Sequence, residues 1–292
     1  MSKDYKNKEI LIETNELNSI LDNKNIRIVD CNVDLGYVDE GGYIIKSGKE
    51  EYLKTHIPNA VFLDLSHDLA AKNTHLSFMM PSEKEFEHHV GKVGINNNHE
   101  IILYSKGANY WATRLFLMFK AFGFNQCKVL NGGWDKWKAE NRPVTDQLPS
   151  FQEETFKSQL IPGEIIGKLD VIKLMNKEGT CLINALSPDL HSGKTFKKNY
   201  GRPGHISGSR NLFAQELINT EDMTFLESDK LKKKFTDIGV FESDQTVAYC
   251  GGGISATTNV FCLLLLGYKN VSLYDGSLTE WGPDHSLPMS TE

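Results

Sequence analysis

Long apolar runs are missing from this 292-residue chain: the longest, Val260 to Leu266, falls far short of the ~18 residues a membrane span needs. The N-terminus, MSKDYKNKEILIETNEL, has no continuous apolar segment followed by small residues, so no signal peptide is expected and the cytoplasm is the expected compartment. The basic residues form no single long cluster and the net charge is −6, which speaks against nucleic acid as a partner. There is no CxxC pair, and five cysteines, an odd number, suit neither a disulfide framework nor a zinc ribbon. A reducing compartment is therefore expected, with no bound metal and no membrane partner.

What is present is ordinary for a globular protein: 40% apolar and 24% charged residues. A length of 292 residues exceeds the ~100–200 usual for one domain, so two domains are expected. An internal duplication supports that count. Residues 101–143 (IILYSKGANYWATRLFLMFK…) and 246–288 (TVAYCGGGISATTNVFCLLL…) repeat one order: strand, loop, apolar helix, Gly-Phe or Gly-Tyr stop, second strand, Asn-Gly or Asp-Gly, tryptophan. HIPNAVFLDL (56–65) likewise matches HISGSRNLF (205–213), and IRIVDCNVD (26–34) matches TCLINALSP (180–188), in the same sequence order.

Strands alternating with helices predict an α/β fold of two tandem domains, each a mainly parallel sheet flanked by helices. Helices are expected at Glu83–Val90, Trp111–Phe122, Leu169–Asn176, Ser228–Phe235 and Ala256–Leu266. The polar segment 144–164, with Pro149 and Pro162 and no clear core pattern, reads as the linker, which puts the domains at 1–146 and 160–292.

One loop carries chemistry. In AYCGGGISAT (248–257), Cys250 ends an apolar strand and precedes three glycines and a helix start. At the carboxyl end of such a strand, backbone N–H groups and the positive helix end face outward, and glycines let several N–H groups converge on one centre. A ring of donors of this kind favours a thiolate, the reactive form of cysteine. Cys31, Cys127, Cys181 and Cys262 sit in apolar strand-like or helix-like contexts and read as small buried hydrophobes.

This loop, in the second of two duplicated α/β domains and together with the Gly204–Ile206 turn, resembles the active-site loop of tandem-domain rhodanese sulfurtransferases, the thiosulfate and 3-mercaptopyruvate sulfurtransferases. The resemblance runs from Ile26 to Pro288. It implies that Cys250 takes a sulfane sulfur from a small donor as a persulfide and passes it to a thiol or cyanide-like acceptor, without a cofactor and with a thioredoxin-type reductant as a further partner. Gly251, Gly252, Gly253, Ile254 and Ala256 are then expected around the bound donor. Ser105 stands where the first copy would carry its cysteine, so that copy is expected to be silent and to wall the cleft. A persulfide carrier or sulfur-binding regulatory protein without turnover stays open as an alternative.

The departures from the family pattern bear on the donor. The loop has no cation, as in the mercaptopyruvate type, and Ser255 is the nearest hydroxyl, either a proton relay or a helix N-cap. Where an arginine is expected after LINALSPDL there are Leu190, His191 and Ser192, which leaves Arg202, with Lys194 as the weaker candidate, to hold an anionic donor. In the first domain Ser66 replaces an expected acid and Phe78 an expected histidine, and His67 and His75 read as surface residues that could substitute. Two other classes fit poorly. A phosphatase loop needs an arginine where Ala256 stands. A dinucleotide fingerprint at Gly251-x-Gly253-x-x-Ala256 with Asp275 lies too near the end of the sequence for a βαβαβ half to follow, and the duplicate copy has Asn131 in place of Asp275.

Overall fold

The computed structural model describes residues 5–37 and 43–291. The first half contains β1 (Leu11–Ile12), β2 (Ile26–Asp30), β3 (Val33–Tyr37), β4 (Tyr43–Ser47), β5 (Ala60–Phe62), β6 (Glu100–Tyr104) and β7 (Cys127–Leu130). Its helices are α1 (Thr14–Ser19), α2 (Lys49–Lys54), α3 (Glu83–Lys92), α4 (Tyr110–Ala121) and α5 (Gly133–Ala139). The second half contains β8 (Ile165–Ile166), β9 (Thr180–Asn184), β10 (His205–Ile206), β11 (Arg210–Asn211), β12 (Gln245–Tyr249), β13 (Val271–Tyr274) and β14 (Met289–Ser290). Its helices are α6 (Lys168–Met175), α7 (Pro188–His191), α8 (Ser228–Asp237), α9 (Ala256–Leu265) and α10 (Ser277–Trp281).

Two parallel sheets result, ordered β1-β7-β6-β2-β5 and β11-β9-β12-β13-β8, so corresponding strands of the two copies occupy corresponding places. The central strands are short apolar runs such as Ile101–Tyr104 and Thr246–Tyr249, buried on both faces as helix-covered parallel strands must be. The five helices expected from the sequence all form, with ends within two residues of expectation. Among them, α3 starts at a capping box in which Ser82 and Glu85 satisfy each other's backbone N–H groups.

The expected linker segment is packed against one side. Residues 144–161 lie along the first domain: Thr145 bridges to His56, Gln159 N–H donates to Phe122 O, and Ile161 N–H donates to Ala121 O. Phe156 is inserted among Phe86, Phe119 and Phe124. Phe156, and Phe151 beneath the Arg27 guanidinium, are isolated aromatics in a polar segment and produce no periodic pattern, so the sequence concealed them. The chain start crosses the other way, with Tyr5 Oη donating to Leu226 O and Asn7 bonded to the carbonyls of Leu264 and Leu265 in the second domain.

The domains meet through the duplicated helices α4 and α9. All ten residues of α9 are buried, and only Tyr110 and Lys120 of α4 retain partial exposure. Phe116 meets Phe261 edge to face at 5.0 Å, and the Thr113 and Thr257 hydroxyls share a hydrogen bond of 2.7 Å. Helices that are mostly apolar all round, with their few polar groups paired, suit elements enclosed between two sheets. The interface also brings the first domain against the loop that follows β12.

Candidate active site

Cys250 directly follows β12, and the chain turns through Gly251–Ser255 into α9. Two of the three glycines are dictated by space. Gly253 has φ +72, and a Cβ there would stand 2.4 Å from Asp275 O; a Cβ on Gly251 would stand 2.2 Å from the Tyr200 hydroxyl. Gly252 has room for a side chain: a Cβ there would meet nothing nearer than Thr279 Oγ1 at 3.9 Å.

The loop carbonyls are engaged by the protein. Cys250 O accepts from Leu278 N–H, Gly251 O from Thr279 N–H, and Gly253 O from Arg114. The Cys250 N–H donates to Ser277 Oγ. By contrast, the N–H groups of Gly251, Gly252, Gly253, Ile254 and Ser255 bond to no other described residue. The loop is thus a concentration of free donors at the start of a ten-residue helix, a setting suited to an anion.

Beside it opens a cavity of 640 Å³ built by both domains. Cys250, Gly251, Gly252, Ile254 and Ser255 line it, as do Leu186, Leu190, Tyr200 and Phe213 from the second domain and Leu35, Phe78, Tyr110 and Trp111 from the first. Lys197 is the one lysine or arginine among the described lining residues, and burial lowers its pKa.

A model of the rhodanese-like domain matches this chain twice, at residues 13–140 and 170–284. The chain belongs to the rhodanese-like family. The 3-mercaptopyruvate sulfurtransferase of Escherichia coli is 27% identical over 92% of this chain and 93% of its own, and the crystal structure of SseA from E. coli superposes with a TM-score of 0.81 at 25% identity, covering 92% and 98% of the two chains. The sulfur carrier protein TtuD of Thermus thermophilus is 29% identical over 98% of each chain. The protein is an enzyme of the sulfurtransferase class with two tandem rhodanese-like domains, and among the described residues no helix is long and apolar enough to cross a membrane.

The loop at the same topological place in the first rhodanese-like domain is built differently. Ser105 follows β6 as Cys250 follows β12, but its hydroxyl is buried against Asn109 and the Ala112 N–H. The N–H groups of Ser105, Lys106 and Gly107 are taken by Asn109, Asn32 and Asp135 side chains. Lys106 and Gly107 are the counterparts of Gly251 and Gly252, so two donors that stay open beside Cys250 are engaged here by the protein's own side chains.

Several residues proposed from the sequence lie elsewhere. Arg202 does not line the cavity: its guanidinium donates to Gly282 O at 2.7 Å, Asp284 O at 2.8 Å and Leu287 O at 3.0 Å, so it fastens the segment after α10. Lys194 is exposed, paired with Asp189 at 3.3 Å, and also outside the cavity. Gly253 and Ala256 are buried behind the loop and not on the cavity wall. Ser255 lines the cavity and makes no side-chain capping bond, so the cap role is unfilled. His75 reaches the cavity, whereas His67 is paired with Asp64 and Ser66 away from it. Asp275 is committed to Arg114 and Met80 N–H, which removes it as a ribose ligand. Among the residues the sequence did not single out are Tyr110, Trp111, Lys197, Tyr200 and Phe213 on the wall and Arg114 behind it; the visible signal was a charged Arg114 in the middle of a largely apolar helix.

His191, near the place where an arginine was expected, is buried with its ring stacked on His205 at 3.8 Å. Burial first, and the neighbouring His205 second, lower its pKa from 6.5 to about 4. Between those values the unfolded chain binds the extra proton, so this contribution to stability is complete above pH 6.5 and is lost as pH falls toward 4. Unfolding midpoints measured across that range should fall more steeply for the wild type than for His191→Phe, which keeps a stacked ring that cannot protonate. Parallel curves would show that His191 carries none of the acid sensitivity.

Proposed function

We propose that Cys250 removes a sulfane sulfur from an organic donor, holds it as a persulfide within the glycine loop, and delivers it to a thiol or cyanide-like acceptor. The observation that carries this reading is the pairing of Cys250, on the wall of the 640 Å³ cavity, with loop N–H groups that no described residue engages. A persulfide anion gains charge-assisted hydrogen bonds from those donors, and no metal is needed to stabilise it. Thr279 and Ser255 are the hydroxyls of the lining closest in sequence to the loop and its following helix, and Ser255 is the candidate to move a proton to or from the donor.

The lining favours organic donors over thiosulfate. A dianion leaving water needs cationic partners, and the cavity supplies Lys197, whose charged form burial disfavours. The kcat/KM for 3-mercaptopyruvate is therefore expected to exceed that for thiosulfate by at least about tenfold, the equivalent of one charge-assisted contact of ~1.5 kcal/mol. Steady-state assays with both donors and cyanide as acceptor measure the ratio; a preference for thiosulfate would reverse the ordering. The same assay addresses a carrier role of the kind named for the Thermus relative, since a carrier would load sulfur once and release no thiocyanate over many turnovers.

A further inference from the structure

We infer that the cavity beside Cys250 selects a sulfur donor that carries an aromatic ring, an inference that rests on the sulfurtransferase reading above. The first observation is size and lining. At 640 Å³ the cavity falls in the ~300–1,000 Å³ range of pockets that enclose drug-sized ligands, several times what a three-carbon or inorganic donor fills. Its wall combines Phe78, Tyr110 and Trp111 from the first domain with Tyr200 and Phe213 from the second. Phe78 and Trp111 lie 5.0 Å apart with their planes at 54°, a tilted aromatic pair that forms part of the wall.

The second observation is strain at the centre of that wall. Phe78 has φ +63, a left-handed conformation that is costly for a bulky side chain. Such a residue persists where the surroundings over-determine it, and strain of this kind gathers at ligand clamps. Here Arg114 donates to Phe78 O while its other nitrogen holds Asp275, and Asp275 in turn accepts from the Met80 N–H. A buried ion pair between the domains therefore holds the backbone at the Phe78 carbonyl and at the Met80 N–H, just after the Phe78 ring. The loop residues Gly251 and Gly252 line the same cavity, so a ring held by this wall brings its substituent to the sulfur.

For a thiosulfonate donor, R–SO2–S⁻, the step balances without oxidant or proton. The Cys250 thiolate attacks the terminal sulfur, the new S–S bond forms as the bond to the sulfonyl sulfur breaks, and the sulfinate R–SO2⁻ departs with that electron pair. Cyanide then takes the outer sulfur from the persulfide as thiocyanate and restores the thiolate.

The test compares benzenethiosulfonate with methanethiosulfonate on the full chain, with cyanide as acceptor, each rate divided by that of the same donor with a free thiol in solution. The corrected kcat/KM should favour the aryl donor by about tenfold or more. Phe213→Leu and Phe78→Leu should each lower that ratio by roughly three- to tenfold, and Phe213, which is only half-buried, provides the variant least exposed to misfolding. A corrected ratio near one, with thiocyanate still produced, overturns the aromatic selection and leaves the sulfurtransferase reading intact. Absence of a +32 Da adduct and of thiocyanate with every donor, 3-mercaptopyruvate included, overturns both. A wild-type preference that neither leucine variant alters overturns the assignment to these rings.

Discussion

Cys250→Ser should gain no 32 Da on incubation with any sulfur donor and should release no thiocyanate, whereas the wild type takes up one sulfur per chain. The expectation is close to total loss, because no other thiol can take over. Cys31, Cys127, Cys181 and Cys262 are all buried, none of them lines the cavity, and burial pushes each of those thiols up, the first two and Cys262 well above the ordinary cysteine value. A thiol held in its neutral form is a poor nucleophile. Intact-mass measurement decides the matter. A Cys250→Ser protein that still acquires the adduct and turns over would place the chemistry on another residue and end the mechanism proposed here.

Arg114→Met should destabilise the protein by about 3–5 kcal/mol, the range found when one partner of a buried ion pair is removed. The Arg114 and Asp275 side chains are 1% and 6% exposed and 2.6 Å apart, one from each domain. Methionine fills most of the volume but leaves the Asp275 carboxylate with little beyond the Met80 N–H, and it releases the carbonyls of Phe78 and Gly253. Denaturant midpoints give the loss. Adding Asp275→Asn to Arg114→Met should recover part of it, since the uncompensated charge accounts for much of the cost. A loss below about 1 kcal/mol would mean that the pair is no more than an ordinary surface contact in energetic terms.

Much of this protein was determined locally and could be read in order along the chain. The parallel strands are short runs of mostly apolar residues, the five expected helices begin and end within two residues of where the apolar pattern puts them, and the duplication shows itself because both copies must satisfy the same strand, loop and helix constraints. Cys250 was legible as the candidate nucleophile because the cysteine, its three glycines and the helix start are consecutive, although the neighbours that demand glycine at 251 and 253, Tyr200 and Asp275, are distant in sequence. Ser105 could be placed opposite Cys250 by alignment of the two copies, although the side chains that engage the N–H groups of its loop are visible only in three dimensions.

What the tertiary structure alone decided is which distant residues meet. Arg202, beside the Gly204–Ile206 turn, was a reasonable anion anchor by position, but three carbonyls 80 to 85 residues away claim its guanidinium. Lys197, five residues earlier, enters the cavity instead. Phe156 joins the first core from a segment with no apolar period, and Arg114 finds Asp275 at a separation of 161 residues. A side chain's partner across such distances is set by how two sheets and their helices pack, and packing leaves no spacing rule in the sequence. The loop chemistry is local and the donor selectivity is not: Cys250 belongs to one strand end, while the aromatic wall around it is assembled from two domains.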